Sequence, residues 1–516
     1  MANNKSSHEK NRDGSAAEKQ HPVLNNELST EAVDSSADQS SQIVTSSSTS
    51  AEFLDGVAIA DAIKTGDMTP VEAVQEAIRR TKATQSQLNA VAFEGFDSAL
   101  KEASELTDLR PRFAGVPTFT KDTLNVKGQP NFLGSRSRAE ALPEEEDETF
   151  IKKWRDAGIV FVGRSTMPEF GMLPCSTNLL HGSTHNPWGK NLDAAGSSGG
   201  AAALVAARVV PFAHASDIGG SIRLPSSVCG LFGFKPSRNR LGVEANASKL
   251  DIVVHHACTI SVRDSIELFR IAEGGDFPPI TPSIEPIDRP LRIGLWLDSP
   301  NRTPVDPEIE KIVNETAKLC ESLGHIIEEF VFDLEVADQF RDHAELGFAA
   351  RAAARVATHS KAMGVPVTKD YFGPYTLKQV EVYQQRQAEL PEAIQKILSF
   401  QSFYEKELGV FDLILSPTNA IPTPPLTHMD PRVDVDTLNQ RVEEFCQFTI
   451  GANLSGAPSM SVPLGTTTGG LPAGSLFSAR EGDDELLFRL ALQLEEASPW
   501  INIIPPLNAL EFKNKV

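Results

Sequence analysis

The 516-residue sequence lacks the features that mark several large classes of protein. It has no run of about 18 or more apolar residues, so no membrane-spanning helix is expected. Its five cysteines are widely spaced and include no C-x-x-C pair, which argues against a disulfide framework and against a zinc ribbon. It also lacks a basic excess: the formal net charge is −21, which disfavours nucleic acid as a partner.

The first 52 residues have few large apolar side chains and are rich in Ser, Asn, Gln, Asp and Glu. Such a segment cannot bury enough surface to offset its chain entropy, so a disordered polar tail is predicted over 1–52. The N-terminus has no charged head followed by an apolar core, so no secretory signal is expected. We therefore expect a cytoplasmic protein without integral membrane association, with one domain over 53–500 and a C-terminal tail over 501–516.

Strand and helix patterns alternate from about residue 53 onward. Short apolar runs predict strands at 158–165, 291–297, 412–418 and 458–465. Helical patterns predict a helix that Thr69 caps and Pro70 begins, a second that stops at Gly324, and a late one behind Asp483. The alternation indicates an α/β fold, a single large domain with a central mixed β-sheet covered by helices on both faces.

Residues 194–236 read "AAGSSGGAAALVAARVVPFAHASDIGGSIRLPSSVCGLFGFKP" and hold two Gly/Ser clusters separated by an apolar segment. A flexible linker would not carry "AAALVAARVV" between its Gly/Ser pieces. A phosphate-binding loop is excluded here, because neither G-x-x-x-x-G-K-[ST] nor G-x-G-x-x-G occurs in the block. A purely structural interpretation, with glycines for close packing and serines as helix caps, stays open.

An esterase elbow is a further interpretation, because "GSSGG" matches G-x-S-x-G with Ser198 at its centre. That fold needs a buried strand directly before the elbow, and "HNPWGKNLDAA" is loop-like. It also needs a later acid and histidine, and no histidine of the sequence is marked for that role. The match is therefore weak.

The complete block resembles the signature of the amidase signature family. The matching pieces are "AGSSGG", "SDIGGSIRLPSSVCG" and "GFKPSRNRL", with "GVPTFTKD" upstream, and they follow the family's order over about residues 53 to 500. "HGSTHNPWGKNLDAAGSSGG" is similar to bacterial amidases of the nylon-oligomer cyclic-dimer hydrolase type. One departure is Ala195, which stands where the family usually has Gly.

The resemblance implies a catalytic triad of Ser221, Ser197 and Lys121. Ser221 would attack the carbonyl and become the acyl-ester, Ser197 would sit in a cis-peptide backbone and carry the proton, and Lys121 would be the general base. The residue types suit this chemistry, since a serine hydroxyl needs a positioned base. An ammonium cannot be that base, so burial or a cationic neighbour must lower the pKa of the lysine.

The residues around the nucleophile have implied roles too. The backbone N–H groups of Ile218, Gly219 and Gly220 would converge on the developing oxyanion. Asp217 and Arg223 are expected to pair across this turn and fix its shape. Ser198 would support the network by hydrogen bonding, and Cys229 is expected to be a packed thiol rather than a nucleophile.

The predicted function is hydrolysis of a small-molecule amide, and the same chemistry would admit esters or carbamates. No metal and no cofactor is expected, and a homodimer is the assembly considered, with the oligomeric state left open. Met172 and Leu173 are candidates for lining the acyl pocket, with core packing as the alternative. Three other functions remain: the amidase-type subunit of a glutamine-dependent amidotransferase, a serine esterase that uses Ser198, and a non-catalytic scaffold.

Overall fold

The computed structural model describes residues 53–242, 252–275 and 277–512. The described helices are α1 Gly56–Thr65, α2 Pro70–Leu88, α3 Phe96–Glu105, α4 Thr149–Asp156, α5 Gly199–Ala206, α6 Arg223–Cys229, α7 Val262–Ala272, α8 Pro307–Ser322, α9 Leu334–Met363, α10 Pro374–Arg386, α11 Leu390–Leu408, α12 Val435–Phe445, α13 Ile450–Ser455 and α14 Asp484–Ala497. The expected polar tail over 1–52 lies outside the described residues.

The strands form one large sheet, one small sheet and two short hairpins. The described strands are β1 Val91–Glu94, β2 Pro117–Lys121, β3 Val160–Ser165, β4 Thr177–Asn178, β5 Gly182–Ser183, β6 His185–Asn186, β7 Gly189–Asp193, β8 Phe212–Asp217, β9 Phe232–Lys235, β10 Val254–Thr259, β11 Arg292–Leu295, β12 Ile326–Glu329, β13 Leu413–Pro417, β14 Ser459–Thr466 and β15 Pro472–Ser478.

The large sheet has the strand order β12-β11-β13-β15-β14-β9-β10-β8. Strand β11 pairs in parallel with β12 and with β13, whereas the pairs from β13 to β8 are antiparallel. The predicted mixed sheet is therefore confirmed. The small sheet, of order β1-β3-β2, was not predicted.

The two sheets meet along their edges, where β2 of the small sheet contacts β8 of the large sheet. Side chains rather than a strand ladder connect this seam. The Thr118 hydroxyl of β2 donates to the carbonyl oxygen of Phe212 on β8 at 2.9 Å. Both strands run directly into functional segments, since β2 ends at Lys121 and β8 ends at Asp217.

Helices cover both faces of the large sheet, and the residues of β9 show how the helices pack against each face. Phe234 points to one face, where its ring stacks on Phe488 of α14 at 4.0 Å. Its neighbour Gly233 points to the other face, where Ser226 of α6 lies so close that no Cβ would fit. Side chains alternate along a strand, so a glycine between two aromatic residues lets α6 approach the sheet closely.

The helices begin and end where local chemistry dictates. Thr69 accepts from the N–H of Glu72 at α2 while the Glu72 carboxylate accepts from Thr69, which forms the capping box behind Pro70. Helix α8 ends before Gly324, whose φ of +92° is in the left-handed region that favours glycine. The predicted strands and helices thus occur within a few residues of their expected bounds.

The folded domain continues beyond residue 500, where a C-terminal tail was expected from the sequence. The N–H of Ala509 donates to the carbonyl of Ala207 at 2.8 Å, and the side chain of Ala509 is buried. Residues 501–512 therefore pack against the domain, and 513–516 lie outside the described residues. Within the described ranges, no helix combines the length and apolar character needed to cross a membrane.

Candidate active site

Lys121 is the last residue of β2 and is buried at the seam between the two sheets. Its Nζ lies 2.7 Å from the Oγ of Ser197 and 3.2 Å from the carbonyl oxygen of Ser216 on β8. Its backbone N–H donates to Nδ1 of His214, also on β8, at 3.2 Å. The sequence-predicted lysine and Ser197 are therefore brought into direct contact.

Burial lowers the pKa of Lys121 to about 7, because an ammonium loses its hydration inside the protein. The negative charge of Asp217 opposes this effect, and the guanidinium of Arg355 adds to it. Near neutral pH a large fraction of Lys121 is consequently an uncharged amine. Such an amine has a lone pair that can accept the hydroxyl proton of Ser197.

Ser197 lies in a tightly packed turn between β7 and α5, and the Gly196–Ser197 peptide bond is cis. A Cβ at Gly196 would overlap the backbone of Cys175, and one at Gly200 would overlap Thr166. Gly171 lies against Ser197 from the cavity side, since a Cβ there would be 3.1 Å from the Ser197 Oγ. Small residues thus let the turn fit closely between these neighbours.

Ala195, the departure from the family pattern, has a φ of +54°, where glycine is the usual residue. Its N–H donates to Oδ1 of Asp193 at 2.9 Å. The same oxygen accepts from the N–H and the hydroxyl of Ser176 at 2.8 and 2.7 Å. Asp193 therefore holds the start of the turn through these three hydrogen bonds.

The turn after β8 is built around Asp217 and Arg223, which are both fully buried. The guanidinium grips the carboxylate with two hydrogen bonds of 3.0 and 2.9 Å, and Asn453 donates to the same carboxylate at 2.9 Å. Burial alone would raise the pKa of Asp217, but the charge and hydrogen bonds of Arg223 hold it below its ordinary value. The predicted pair across this turn is therefore present.

One of the three N–H groups expected to bind the oxyanion, that of Gly220, has another partner in the structure. The N–H of Gly220 donates to Oδ1 of Asp217 at 2.8 Å, so it is engaged in shaping the turn. Among the hydrogen bonds of the described residues, none uses the N–H of Gly219 or of Ser221. The N–H groups of Gly219 and Ser221 are thus without a partner among these hydrogen bonds, and the roles assigned to Ile218, Gly219 and Gly220 stay predictions.

Arg223→Met is expected to lower the free energy of unfolding by about 3–5 kcal/mol, because it leaves the buried carboxylate of Asp217 without its cation. Arg110→Met is the matched control, since Arg110 also forms a two-bond pair, with Asp108, but on the surface. Chemical denaturation of both variants checks this. A large loss of stability is expected only for Arg223→Met, and equal small losses would contradict the prediction.

A cavity of about 390 Å³ opens at the turn after β8, where Ser221, Gly219 and Ile218 line it. Most of its wall is apolar and comes from segments that are distant in sequence. Eight aromatic side chains contribute to it: Trp296, Phe332, Phe340, Phe348, Tyr375, Phe400, Tyr404 and Phe448. The site can therefore hold a bulky apolar group beside a serine hydroxyl.

Met172 and Leu173 both line this cavity, as expected for an acyl pocket. Each also packs into the protein interior: Leu173 is buried in a core cluster, and Met172 packs near Phe170 and Phe372. The two interpretations offered by the sequence are thus both compatible with the geometry, because cavity walls are themselves parts of the core.

The serines of the site differ in their hydrogen bonds and in their access to the cavity. Among the hydrogen bonds of the described chain, none joins the hydroxyl of Ser221 to Ser197. Ser198 is fully buried and bonds to the backbone of Ser216, with distances of 3.3 Å to its oxygen and 3.4 Å to its nitrogen. Ser221 lines the cavity, whereas Ser198, Ser197 and Lys121 do not, so Ser221 is the serine of this site that a bound substrate can reach as a nucleophile.

The segment before the Gly/Ser turn was expected to be loop-like, and this was wrong in part. Strands β6 and β7 form an antiparallel hairpin over 185–193. This hairpin is mostly at the surface and ends two residues before the turn, so it is not the buried strand of an esterase elbow. Its alternation was hidden by Pro187 and Gly189, which read as turn residues.

Comparison with known proteins agrees with this geometry. The family model described as Amidase matches residues 72–488. A Mycobacterium tuberculosis protein named as an amidase, AmiC, is 35% identical over 459 residues, which cover 88% of this chain and 96% of that protein. The 6-aminohexanoate-cyclic-dimer hydrolase of Paenarthrobacter ureafaciens is 29% identical over 482 residues, 88% of this chain and 96% of that protein.

The solved structure of a 6-aminohexanoate cyclic dimer hydrolase superimposes with a TM-score of 0.80 at 26% sequence identity. The match covers 88% of this chain and 99% of the other, so the likeness extends over the whole domain rather than over one motif. Fold, motif order and relatives agree, and the chain belongs to the amidase signature family of hydrolases that act on amide C–N bonds.

Proposed function

We propose that this chain is an amidase that cleaves carboxylic amides through a Ser221–Ser197–Lys121 triad and an acyl-enzyme intermediate. One observation carries the proposal. A buried lysine with a lowered pKa lies 2.7 Å from the Oγ of Ser197, and that serine lies against Gly171, which lines the same cavity as Ser221. Base, proton carrier and nucleophile are thus grouped where an amide can bind.

Acylation begins with Lys121 as the neutral amine. Its Nζ takes the hydroxyl proton of Ser197 while Ser197 takes that of Ser221, and the Ser221 Oγ forms a bond to the amide carbon. The oxyanion that develops can accept from the N–H groups of Gly219 and Ser221. The amide C–N bond then breaks, and the departing nitrogen receives the proton from Lys121 through Ser197.

Deacylation repeats these steps with water. Lys121, again neutral, removes a proton from water through Ser197, and the hydroxyl oxygen attacks the ester carbon. The Ser221 Oγ leaves and recovers its proton, which releases the carboxylic acid. Each proton that Lys121 takes is returned, so the enzyme ends in its starting state and needs no co-reactant other than water.

The contact between Ser197 and Ser221 must tighten when substrate binds. Catalytic hydrogen bonds are often long in the free enzyme and shorten in the complex with substrate. Gly171 lines the cavity and lies against Ser197, so its missing side chain leaves room for this adjustment. We therefore place the final alignment of the triad in the substrate complex.

Hydrolysis by the purified chain alone is the direct test. Aryl amides, aliphatic amides, cyclic oligoamides and esters should be compared, with turnover expected on at least one class of amide. An amidotransferase subunit would release product only when its partner chain is supplied. An esterase would cleave esters and leave every amide intact, and either result would contradict the proposal.

We further propose that the preferred amides carry a bulky apolar acyl group. The cavity that Ser221 lines has several aromatic rings in its wall, of which Phe340 and Phe400 pack edge to face at 4.7 Å. Placing an apolar acyl group against these rings removes apolar surface from water, which is worth about 25 cal/mol per Å². Amides of small acids would not gain this energy.

Phe340→Ala is expected to lower kcat/KM for an amide of a bulky aromatic acid by about tenfold, because a contact worth about 1.4 kcal/mol is lost. Its effect on acetamide should stay within about twofold. Phe330→Ala is the matched control, since Phe330 belongs to the same buried aromatic cluster without lining the cavity. The ratio of the two substrates should change only in Phe340→Ala; an equal change in both variants would overturn the acyl-pocket assignment.

A further inference from the structure

The base is held by more than its contact with Ser197. Lys121 ends β2, an edge strand, and on its outer side the neighbouring strand β8 offers side chains instead of a ladder. Here the backbone N–H of Lys121 donates to Nδ1 of His214 at 3.2 Å. A buried N–H without a partner is costly, so this imidazole satisfies a donor that the sheet leaves open.

Strand β8 also contacts the amine end of the Lys121 side chain. The carbonyl oxygen of Ser216, two residues beyond His214 on β8, accepts from Nζ at 3.2 Å. Strand β8 therefore contacts Lys121 at its backbone through His214 and at its amine through Ser216. Since β8 then continues into the turn that carries Ser221, the strand ties the base to the nucleophile.

The hydrogen bonds fix the state of the imidazole. A backbone N–H can only donate, so Nδ1 of His214 must be unprotonated and its proton must lie on Nε2. Nε2 is 3.2 Å from Nδ1 of His255, which is the acceptor for that proton. Burial holds the pKa of His214 well below its ordinary value, with the positive charges of Lys121 and Arg164 adding to the effect.

The position of His214 is rigid as well. Its ring is fully buried and packs against the rings of Phe150 and Trp154, with centroids 5.3 and 6.0 Å away. It does not line the cavity, so it cannot touch the substrate. An effect of His214 on turnover would have to pass through Lys121.

We propose that His214 is a positioning residue for the general base: its neutral imidazole accepts the backbone N–H of Lys121 and so keeps Nζ within reach of Ser197. The proposal rests on the proposed role of Lys121. It predicts that kcat depends on the acceptor at this place and that KM does not. A misplacement of about 1 Å at a catalytic group can cost on the order of a hundredfold in rate.

Three variants separate the roles of this side chain. His214→Leu keeps an apolar side chain of comparable size but removes the acceptor. His214→Asn keeps it, because the Asn Oδ1 can occupy the place of Nδ1, and His214→Gln moves the oxygen outward to the place of Nε2. The matched control is His256→Leu, since His256 is equally buried on neighbouring β10 and bonds to Ser265, away from Lys121.

We expect His214→Leu and His214→Gln to lower kcat at least about tenfold with KM within about twofold, and His214→Asn to recover most of the loss. His256→Leu should keep kcat within about twofold, even where its melting temperature falls. Comparable kcat in Asn and Gln variants, or a loss in His256→Leu equal to that in His214→Leu, would overturn the proposal. Should His214→Leu fail to fold, the Asn and Gln variants decide the question.

Hydrogen exchange gives a readout that does not depend on the assumed chemistry. The amide of Lys121 should exchange faster in His214→Gln than in His214→Asn or the unchanged protein, because its acceptor has moved. Equal protection in all three proteins would contradict the positioning role. If exchange behaves as expected but Lys121→Arg is fully active, the role of Lys121 as base is wrong while its contact with His214 stands.

Discussion

Lys121→Arg is expected to lower kcat/KM on an amide almost as far as Lys121→Ala does, by about 10²–10⁴-fold. A guanidinium stays protonated at every working pH and cannot accept the proton of Ser197. Burial, by contrast, brings the pKa of Lys121 to about 7 and makes the amine form common at neutral pH. Steady-state rates of both variants on one amide provide the measurement.

A role for Lys121 in charge alone makes the opposite prediction. If the side chain served only to balance Asp217 or to attract substrate, arginine would supply the same positive charge and restore much of the rate. Activity of Lys121→Arg well above that of Lys121→Ala would therefore remove Lys121 from the position of base. Circular dichroism and melting curves must accompany the rates, because the site is fully buried.

Ser221→Ala is expected to abolish turnover, whereas Ser198→Ala should keep a measurable rate. Ser221 lines the cavity, and its hydroxyl is the proposed site of the acyl-ester. Ser198 is buried behind the site and bonds to the backbone of Ser216, so its loss should weaken support without removing the nucleophile. Rates of the two single variants on the same amide are the comparison.

The esterase-elbow interpretation reverses these outcomes. It requires Ser198→Ala to be inactive and Ser221→Ala to be close to normal. A third variant, Ser197→Ala, refines the result, because the proposed proton path from Ser221 to Lys121 passes through Ser197. Full activity of Ser197→Ala would show that the base acts on Ser221 by another route.

The sequence could predict the parts of the site that lie in short motifs. The helix start at Thr69 and the pair formed by Asp217 and Arg223 depend on neighbours a few residues apart, and both occur as expected. The positions of Lys121 and Ser197 came from the family motifs, and the fold brings the two side chains to 2.7 Å. These features could be predicted because they depend on local chemistry and on the order of the family motifs.

Other parts depend on tertiary geometry that no local pattern contains. The aromatic wall of the cavity comes from helices and loops over 296–448, and its residues belong to none of the motifs that indicated the family. His214 looked like one polar residue in an apolar strand, and only the meeting of β2 and β8 shows what its Nδ1 accepts. The hydrogen bond from the N–H of Gly220 to Asp217 likewise depends on where the fold of the turn places the Asp217 carboxylate.

A lowered pKa would not by itself have identified the base. Lys235 is as buried as Lys121, and burial again lowers its pKa to about 7. Its Nζ, however, donates to the carbonyl oxygen of Pro236 at 2.8 Å. Lys121 is distinguished by geometry, because its amine meets the hydroxyl of Ser197 beside the cavity.

Covalent labelling by a fluorophosphonate tests whether neutral Lys121 activates Ser221. The labelling rate should be followed against pH, and the modified peptide should be identified by mass spectrometry. We predict an adduct on Ser221 and a rate that rises with pH through about 7, as Lys121 loses its proton. An adduct on Ser198 would contradict the role of Ser221 as nucleophile. A labelling rate on Ser221 that does not change between about pH 6 and pH 8 would contradict the role of Lys121 as base.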